Sequence, residues 1–223
     1  MSEARIDHTG ERRGGGTVEV TVGTVAQGWQ TVVDLYRDQS SVRTVSRHGV
    51  SFEIPGLTIQ VTEPTNQALP VGYPYPELVG DYRDRLFGDQ RERSLLYRRL
   101  RCWETGDGVA LDQLAGVVEL LRSDPASRAA GFSVWRPEAD LAGDYPVSPV
   151  GGACRVIGDT LYLFITARSV DVWVGLVPEL LAMNQLAMEL GLQVRCQDCR
   201  VVYHAWSAHL YEVDYLAYVA GGP

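Results

Sequence analysis

Apolar residues in this chain follow two periods, and the two do not take strict turns. In "TVEVTVG" and "GVSFEIPGLTIQVTEP" they alternate, as in a half-buried strand. In "TVAQGWQTVVDLYRDQS" they fall at Val25, Trp29, Val32, Val33 and Tyr36, one face of a helix, with Thr24 placed as its N-cap. Later "ACRVIGDTLYLFITAR" and "GLQVRCQDCRVVYHAWSAHLYEVDY" are strand-like again, separated by one helical stretch. Strands that arrive in runs, without a helix after each, do not build a repeating βαβ sheet. The pattern predicts an α+β fold with a mostly β core and a few long helices.

Punctuation refines this. "GVSFEIPGLTIQVTEP" reads as one bent strand or two, broken at Pro55-Gly56. "TNQALPVGYPYP" reads as a loop and "ELVGDYRDRLFG" as a short helix. "ALDQLAGVVELLRSDPASR" predicts an amphipathic helix with Leu114, Val117, Val118 and Leu121 on one face, stopping at Asp124-Pro125. A further helix is expected from Pro178 to Leu190, with Gly191 as its stop. Residues 1–16 are polar and glycine-rich and read as a disordered tail, which leaves 17–223 as one domain.

Composition removes several classes. No stretch approaches the roughly 18 apolar residues that span a bilayer, and no apolar leader core follows Met1, so neither a membrane span nor a secretory signal is expected. A net charge of −8 argues against nucleic-acid binding by field. Four cysteines in 223 residues do not make a disulfide scaffold, and the expected setting is a reducing cytoplasm.

Cys154, in "GGACRV", is the sharpest candidate for chemistry. A nucleophilic thiol needs a lowered pKa, usually from nearby cations. Arg155 is adjacent, and Arg168 would neighbour Cys154 if the segment between them is a hairpin turning at Gly158-Asp159. The competing reading is a buried structural cysteine. Arg168-Ser169 suits an anion, since a guanidinium fork matches phosphate; Arg128 and Arg43 would complete such a site if the fold brings them together. His209 and Tyr211 alternate and share one side of a strand, as ligand contacts or as a core pair. Cys196 and Cys199, with His204 and His209, are too compact for a usual zinc finger, so no metal is expected.

In order along the chain, "DQLAGVVELLRSDPASR", "SVW", Cys154, "ARSVDVW" and "SAHLYEVDY" resemble the thymidylate synthase superfamily. Its pattern is a helix ending in Asp-Pro-x-Ser-Arg-Arg, a Trp-containing strand, a Pro-Cys strand, an Arg-Ser-x-Asp segment and a His-x-Tyr segment. The resemblance covers about Val25 to Tyr215. It implies a large mixed β-sheet with flanking helices, and a homodimer built sheet to sheet. It also implies roles. Cys154 would add to C6 of a pyrimidine nucleotide and so activate C5 toward 5,10-methylenetetrahydrofolate. Arg168, Ser169 and Arg43 would hold the 5′-phosphate, and Arg128 would reach the partner subunit's phosphate. His209 and Tyr211 would hold the sugar, Asp171 would contact base or folate, Tyr97 would be an active-site tyrosine, and Glu77 would relay protons.

Departures from the pattern point to a particular substrate. Ala129 stands where a second arginine is usual, Gly-Ala-Cys-Arg replaces Pro-Pro-Cys-His, and Ala167 replaces glutamine. Glu179, eight residues after Asp171, stands where enzymes acting on uracil carry asparagine. A carboxylate faces uracil O4 with a second acceptor but suits the 4-amino donor of cytosine; the alternative is an acid favoured by the helix dipole. Only "LAYVAGGP" follows Tyr215, which in the resemblance implies a folate site open to water and a hydroxymethyl product. The resulting expectation is C5 hydroxymethylation of CMP or dCMP, similar to the CMP 5-hydroxymethylases of nucleoside-antibiotic pathways. The alternatives are a dUMP or UMP methyltransferase and a catalytically silent nucleotide-binding homologue.

Overall fold

The computed structural model describes residues 17–38, 41–89, 91–106, 108–144 and 146–219. The expected tail, 1–16, lies outside them. The elements run β1 (Val18–Val22), α1 (Val25–Arg37), β2 (Val42–Ser46), β3 (Gly49–Val61), α2 (Glu77–Phe87), a 3-10 turn (Arg91–Arg93), α3 (Leu95–Arg101), β4 (Trp103–Glu104) and β5 (Ala110–Leu111). They continue with α4 (Gln113–Ser123), β6 (Gly131–Ser133), α5 (Pro137–Asp140), β7 (Pro149–Ile157), β8 (Thr160–Ala167), β9 (Val170–Asp171), α6 (Leu176–Val194), β10 (Asp198–Tyr211) and α7 (Glu212–Val219).

Eight strands form one mixed sheet in the order β1-β3-β10-β8-β7-β6, with β2 added to β3 and β9 to β10. β10 is its spine, antiparallel to β3 and parallel to β8. Alternation along the strands sorts the faces. Leu57, Ile59, Val201, Tyr203, Leu161, Leu163 and Cys154 are fully buried on the helix-covered face. The opposite face carries Tyr162, Phe164, Val202, His204 and Trp206, and Trp206 is 54% exposed.

The helices form where the apolar spacing put them. Thr24 caps α1 in a reciprocal box with Gln27, and Val25, Trp29, Val32, Val33 and Tyr36 are all buried. The Tyr36 hydroxyl donates to the Ala208 carbonyl and Trp29 Nε1 to that of Val172, so each polar tip is satisfied inside the core. α4 buries Leu114, Val117, Val118 and Leu121 and ends at Asp124.

Of the two readings of the stretch around Pro55-Gly56 the single bent strand holds, and the end of α6 differs from expectation. β3 is one continuous strand of 13 residues, because Gly56 takes φ 66° at the bend and pairing with β10 resumes on both sides. α6 does not stop at Gly191; it runs to Val194 and ends on Arg195 in the left-handed region. Gly191 is an internal packing position, since a Cβ there would lie 3.3 Å from Cys199 Sγ.

α5 is held by a buried ion pair. Arg99 on α3 engages both carboxylate oxygens of Asp140 and donates to the Val134 carbonyl, while Asp140 also accepts from the Arg136 amide. The two side chains are 7% and 3% exposed. Removing one member of such a pair strands the other charge, at about 3 to 5 kcal/mol. Asp140→Ala should therefore lower unfolding stability by about 3 kcal/mol or more in urea titration. Arg98→Ala, which removes the exposed 3.9 Å contact to Glu104, should change it by less than about 1 kcal/mol.

Candidate active site

Between α2, α3 and the first turns of α6 lies a cleft of about 490 Å³, a size that suits a small ligand. α2 supplies Tyr82 and Arg85, the 3-10 turn Arg93, and the α3 N-cap Ser94. The floor is Val147, Ser148 and Pro149, where the chain enters β7. α6 presents Glu179, Ala182 and Met183, which share one helix face by their spacing of three and four.

Glu179 is the deepest polar group in this cleft, at 5% exposure. Its Oε1 accepts from the Tyr203 hydroxyl at 3.0 Å and lies 3.5 Å from Ser148 Oγ. Both contacts fall on one oxygen and leave Oε2 for a ligand. Burial pushes this carboxyl up to about 7, and the Tyr203 and Ser148 contacts and the Arg168 charge offset only part of that cost. The acid therefore titrates near neutrality, where a group that both takes and gives protons is most useful.

Arg168 organises the floor. Its Nε donates to the Val147 carbonyl at 3.1 Å, one Nη to that of Pro146 at 2.7 Å and the other to Ser169 Oγ at 3.0 Å. Its backbone amide donates to the Ser148 carbonyl at 2.9 Å. The Ser148 hydroxyl in turn donates to the Ser169 carbonyl at 2.5 Å. The planar guanidinium thus holds two consecutive residues, Pro146 and Val147, the backbone amide holds the third, and each Nη keeps a further N–H for an anion.

Cys154 is not at this cleft. The hairpin turns at Gly158-Asp159 as expected, with Gly158 at φ 60°. Its register, however, pairs Cys154 with Leu163, while Arg168 falls opposite Ser148. Six residues separate Ser148 from Cys154, about 20 Å of strand. The thiol is fully buried in the apolar core, and burial pushes it up to about 12. Arg155 gives it no help, because it is paired with Tyr162 on the opposite face. Burial and register thus place Cys154 in the core, apart from Arg168 and the cleft, where burial disfavours the thiolate.

The remaining expected residues divide. His209 and Tyr211 do share a face of β10, with rings 5.2 Å apart and edge to face. Burial lowers the His209 pKa, and the nearby Asp171 carboxylate recovers only part of it. Asp171 pairs with His209 across β9 and β10, and its Oδ1 accepts from the Trp173 and Val174 amides at 3.0 Å, so it shapes the turn into α6. Arg43 is exposed on β2 and ion-paired to Glu212 at 3.5 Å, outside the cleft. Arg128 is exposed beyond α4 and lines neither this cleft nor the cavity beside Tyr97. Tyr97 faces a separate cavity of about 330 Å³ with Arg91, Arg101 and Asp112. Glu77 is exposed at the first position of α2. Tyr97 and Glu77 are thus not brought to Glu179, because the helices that carry them turn those positions elsewhere.

Sequence reasoning missed Ser148, Tyr203 and Tyr82. Tyr203 and Tyr82 give no motif signal. Ser148 did, since a two-residue turn at 158–159 already puts the partner of Arg168 near residue 149.

Native-state thiol labelling separates the two views of Cys154. Cys102 is exposed and should label at once, whereas Cys154 should resist until urea unfolds the protein. Labelling of Cys154 before Cys102 would restore it as a reactive thiol.

The sequence model of one family, thymidylate synthase, matches residues 89–218, more than half of the chain. Thymidylate synthases of Listeria monocytogenes serotype 4a (strain HCC23) and serotype 4b (strain F2365) are each 28% identical to it over 120 residues. That stretch is 51% of this chain and 36% of each relative, so the match spans little more than a third of the relatives' length. Among the described residues no helix is long and apolar enough to cross a membrane. With its α+β mixed sheet and a match that takes in α3 through α6 and all of the cleft floor, the chain belongs to the thymidylate synthase family.

Proposed function

We propose that the cleft binds a pyrimidine nucleoside monophosphate, cytosine in preference to uracil. In this reading the chain transfers a one-carbon unit from 5,10-methylenetetrahydrofolate to C5 and leaves a 5-hydroxymethyl group, as CMP or dCMP 5-hydroxymethylation in the cytoplasm. The observation that carries it is Glu179, a buried carboxyl that lines the cleft and accepts from the Tyr203 hydroxyl through Oε1.

The physical basis of base choice is the count of donors and acceptors. As a neutral acid, Glu179 accepts from the cytosine 4-amino group and donates to N3. The same neutral acid with its two oxygens exchanged also satisfies uracil, donating to O4 and accepting from N3–H. Once ionised, it can only accept and meets a lone pair on either base, O4 of uracil or N3 of cytosine; N3 is the more basic of the two, so the pair with cytosine keeps the shared proton to higher pH. Discrimination therefore widens as pH rises through the Glu179 pKa of about 7.

Arg168 and Ser169 hold the phosphate in this reading, and His209 and Tyr211 the sugar hydroxyls. Arg128, exposed and outside its own cleft, is suited to a partner subunit's phosphate in a homodimer. The open sheet face supports such a dimer. It carries Phe164 and Trp206, and the Nε atoms of Arg155 and Arg200 are buried there without a hydrogen-bond partner. A second reading, nucleotide binding without chemistry, is favoured by one observation: the cysteine of the expected motif lies in the core.

Calorimetry of CMP and UMP with wild type and Glu179→Gln tests the base assignment. The ratio of the two affinities cancels the titration of the phosphate they share. For wild type, CMP should bind more tightly than UMP, and the ratio should grow about tenfold from about pH 6 to about pH 8. Glu179→Gln, whose amide serves either base, should bring the ratio near one and remove its pH dependence. A wild-type preference for UMP would overturn the assignment. Incubation with methylenetetrahydrofolate should give a 5-hydroxymethyl nucleotide; a 5-methyl product with dihydrofolate would overturn the hydroxymethylase reading.

A further inference from the structure

Cys196 and Cys199 line no part of the cleft, and among the described residues no cluster of metal-binding side chains includes them. We propose that the two are an oxidisable pair that closes to a reversible disulfide and ties the end of α6 to the start of β10.

The end of α6 brings the two thiols to one place. Arg195 takes φ 65°, its amide donates to the Leu192 carbonyl at 3.2 Å, and the Cys196 amide donates to the Gly191 carbonyl at 2.9 Å. In a helix end closed by this pair of bonds, the side chain after the left-handed residue folds back on the residue that accepts its amide. That sets Cys196 against Gly191. Cys199 arrives at the same glycine from the strand. It lies in register with Leu161 on the helix-covered face of β10, and its Sγ is 3.3 Å from where a Gly191 Cβ would stand. Gly191 has no side chain to keep the sulfurs apart. The link between the cysteines is pinned from outside, because the Gln197 and Asp198 amides both donate to the Asp159 carbonyl, at 2.9 and 3.2 Å. Both thiols are free and half-buried, and the two residues between them are exposed, so a small oxidant reaches the pair.

The local charges favour the oxidised form. Burial pushes the Cys199 thiol up, and the Asp198 carboxylate and the Cys196 sulfur add to that. Burial and the Asp159 carboxylate do the same to Cys196. A dithiol whose thiolates are disfavoured is the better reductant, so its disulfide is the harder to reduce.

The oxidant is a small disulfide of the glutathione type. One cysteine thiolate attacks a glutathione sulfur, the S–S bond of the oxidant breaks, and one glutathione thiolate leaves with the electron pair. The second cysteine thiolate attacks the first cysteine's sulfur in the mixed disulfide, and the other glutathione thiolate leaves. The two cysteine protons end on the two glutathione thiols. One protein disulfide is formed and one glutathione disulfide is reduced. Excess glutathione runs the same steps backwards, so in a reducing cytoplasm the bond forms under oxidative load and opens afterwards. α6 and β10 also carry Glu179 and Tyr203, so the bond braces the two elements whose side chains meet at the cleft.

Trypsin gives a clean readout, since cleavage after Arg195 and Arg200 frees both cysteines on one five-residue peptide. The native protein is equilibrated with glutathione disulfide and glutathione at a series of ratios, blocked by alkylation, digested and weighed. Peptide 196–200 should appear two hydrogens lighter, unalkylated and free of glutathione, and should return to the doubly alkylated form in excess glutathione. Exposed Cys102 reports that the oxidant is active by taking up glutathione. In Cys199→Ser, Cys196 should stop at the mixed disulfide. The same titration in urea should give a disulfide equilibrium constant at least about tenfold smaller, because only the folded helix end holds the sulfurs together.

A dithiol that persists in 196–200 while Cys102 takes up glutathione would overturn the proposal, and so would glutathione retained on both cysteines of the peptide. An equilibrium constant no larger in the folded protein than in urea would also overturn it.

Discussion

A two-residue turn at Gly158-Asp159 fixes the register of β7 on β8, and that register decides which side chains meet at the cleft. Strand pairing has a period of two, so each residue's face and partner are settled together once the turn is placed. Cys154 goes to the core with Leu163, Arg155 to the open face with Tyr162, and Ser148 to the cleft beside Arg168. The Arg168 guanidinium then fixes the floor by satisfying the carbonyls of Pro146 and Val147.

Burial sets the chemistry of the acid above that floor. Water is excluded from Glu179, and the nearby hydroxyls of Ser148 and Tyr203 do not fully replace it. The result is a carboxyl that holds or releases a proton near neutral pH. The same desolvation acting on Cys154, offset by no charge or hydrogen bond among the described residues, pushes that thiol up to about 12. One physical term thus gives opposite outcomes, according to whether the site opens on a ligand cleft or on leucines.

Much of the fold was legible from period and capping. The α1 face, the Thr24 cap and the four core residues of α4 follow from spacing that nothing in the tertiary structure overrides. α6 was misjudged at its end, because Gly191 signals a stop locally while its real constraint is the approach of Cys199. The site was less legible. Glu179, Arg168 and Ser169 were read from motif and do meet around Ser148. Cys154 has the residue type and the motif setting of a nucleophile, but the hairpin register turns it into the core beside Leu163. Tyr203 stood inside an ordinary strand, and only the crossing of β10 beneath α6 reveals it as a partner of Glu179.

The Arg168 clamp also says what can vary around it. It holds Pro146, Val147 and Ser148 through their carbonyl oxygens, which every amino acid possesses. The path of the backbone here is therefore set by Arg168, while the Val147 side chain is left to line the cleft and pack on the core. A single replacement of the Arg168 side chain would thus release two carbonyls at once, so the floor gives way as a unit and not residue by residue.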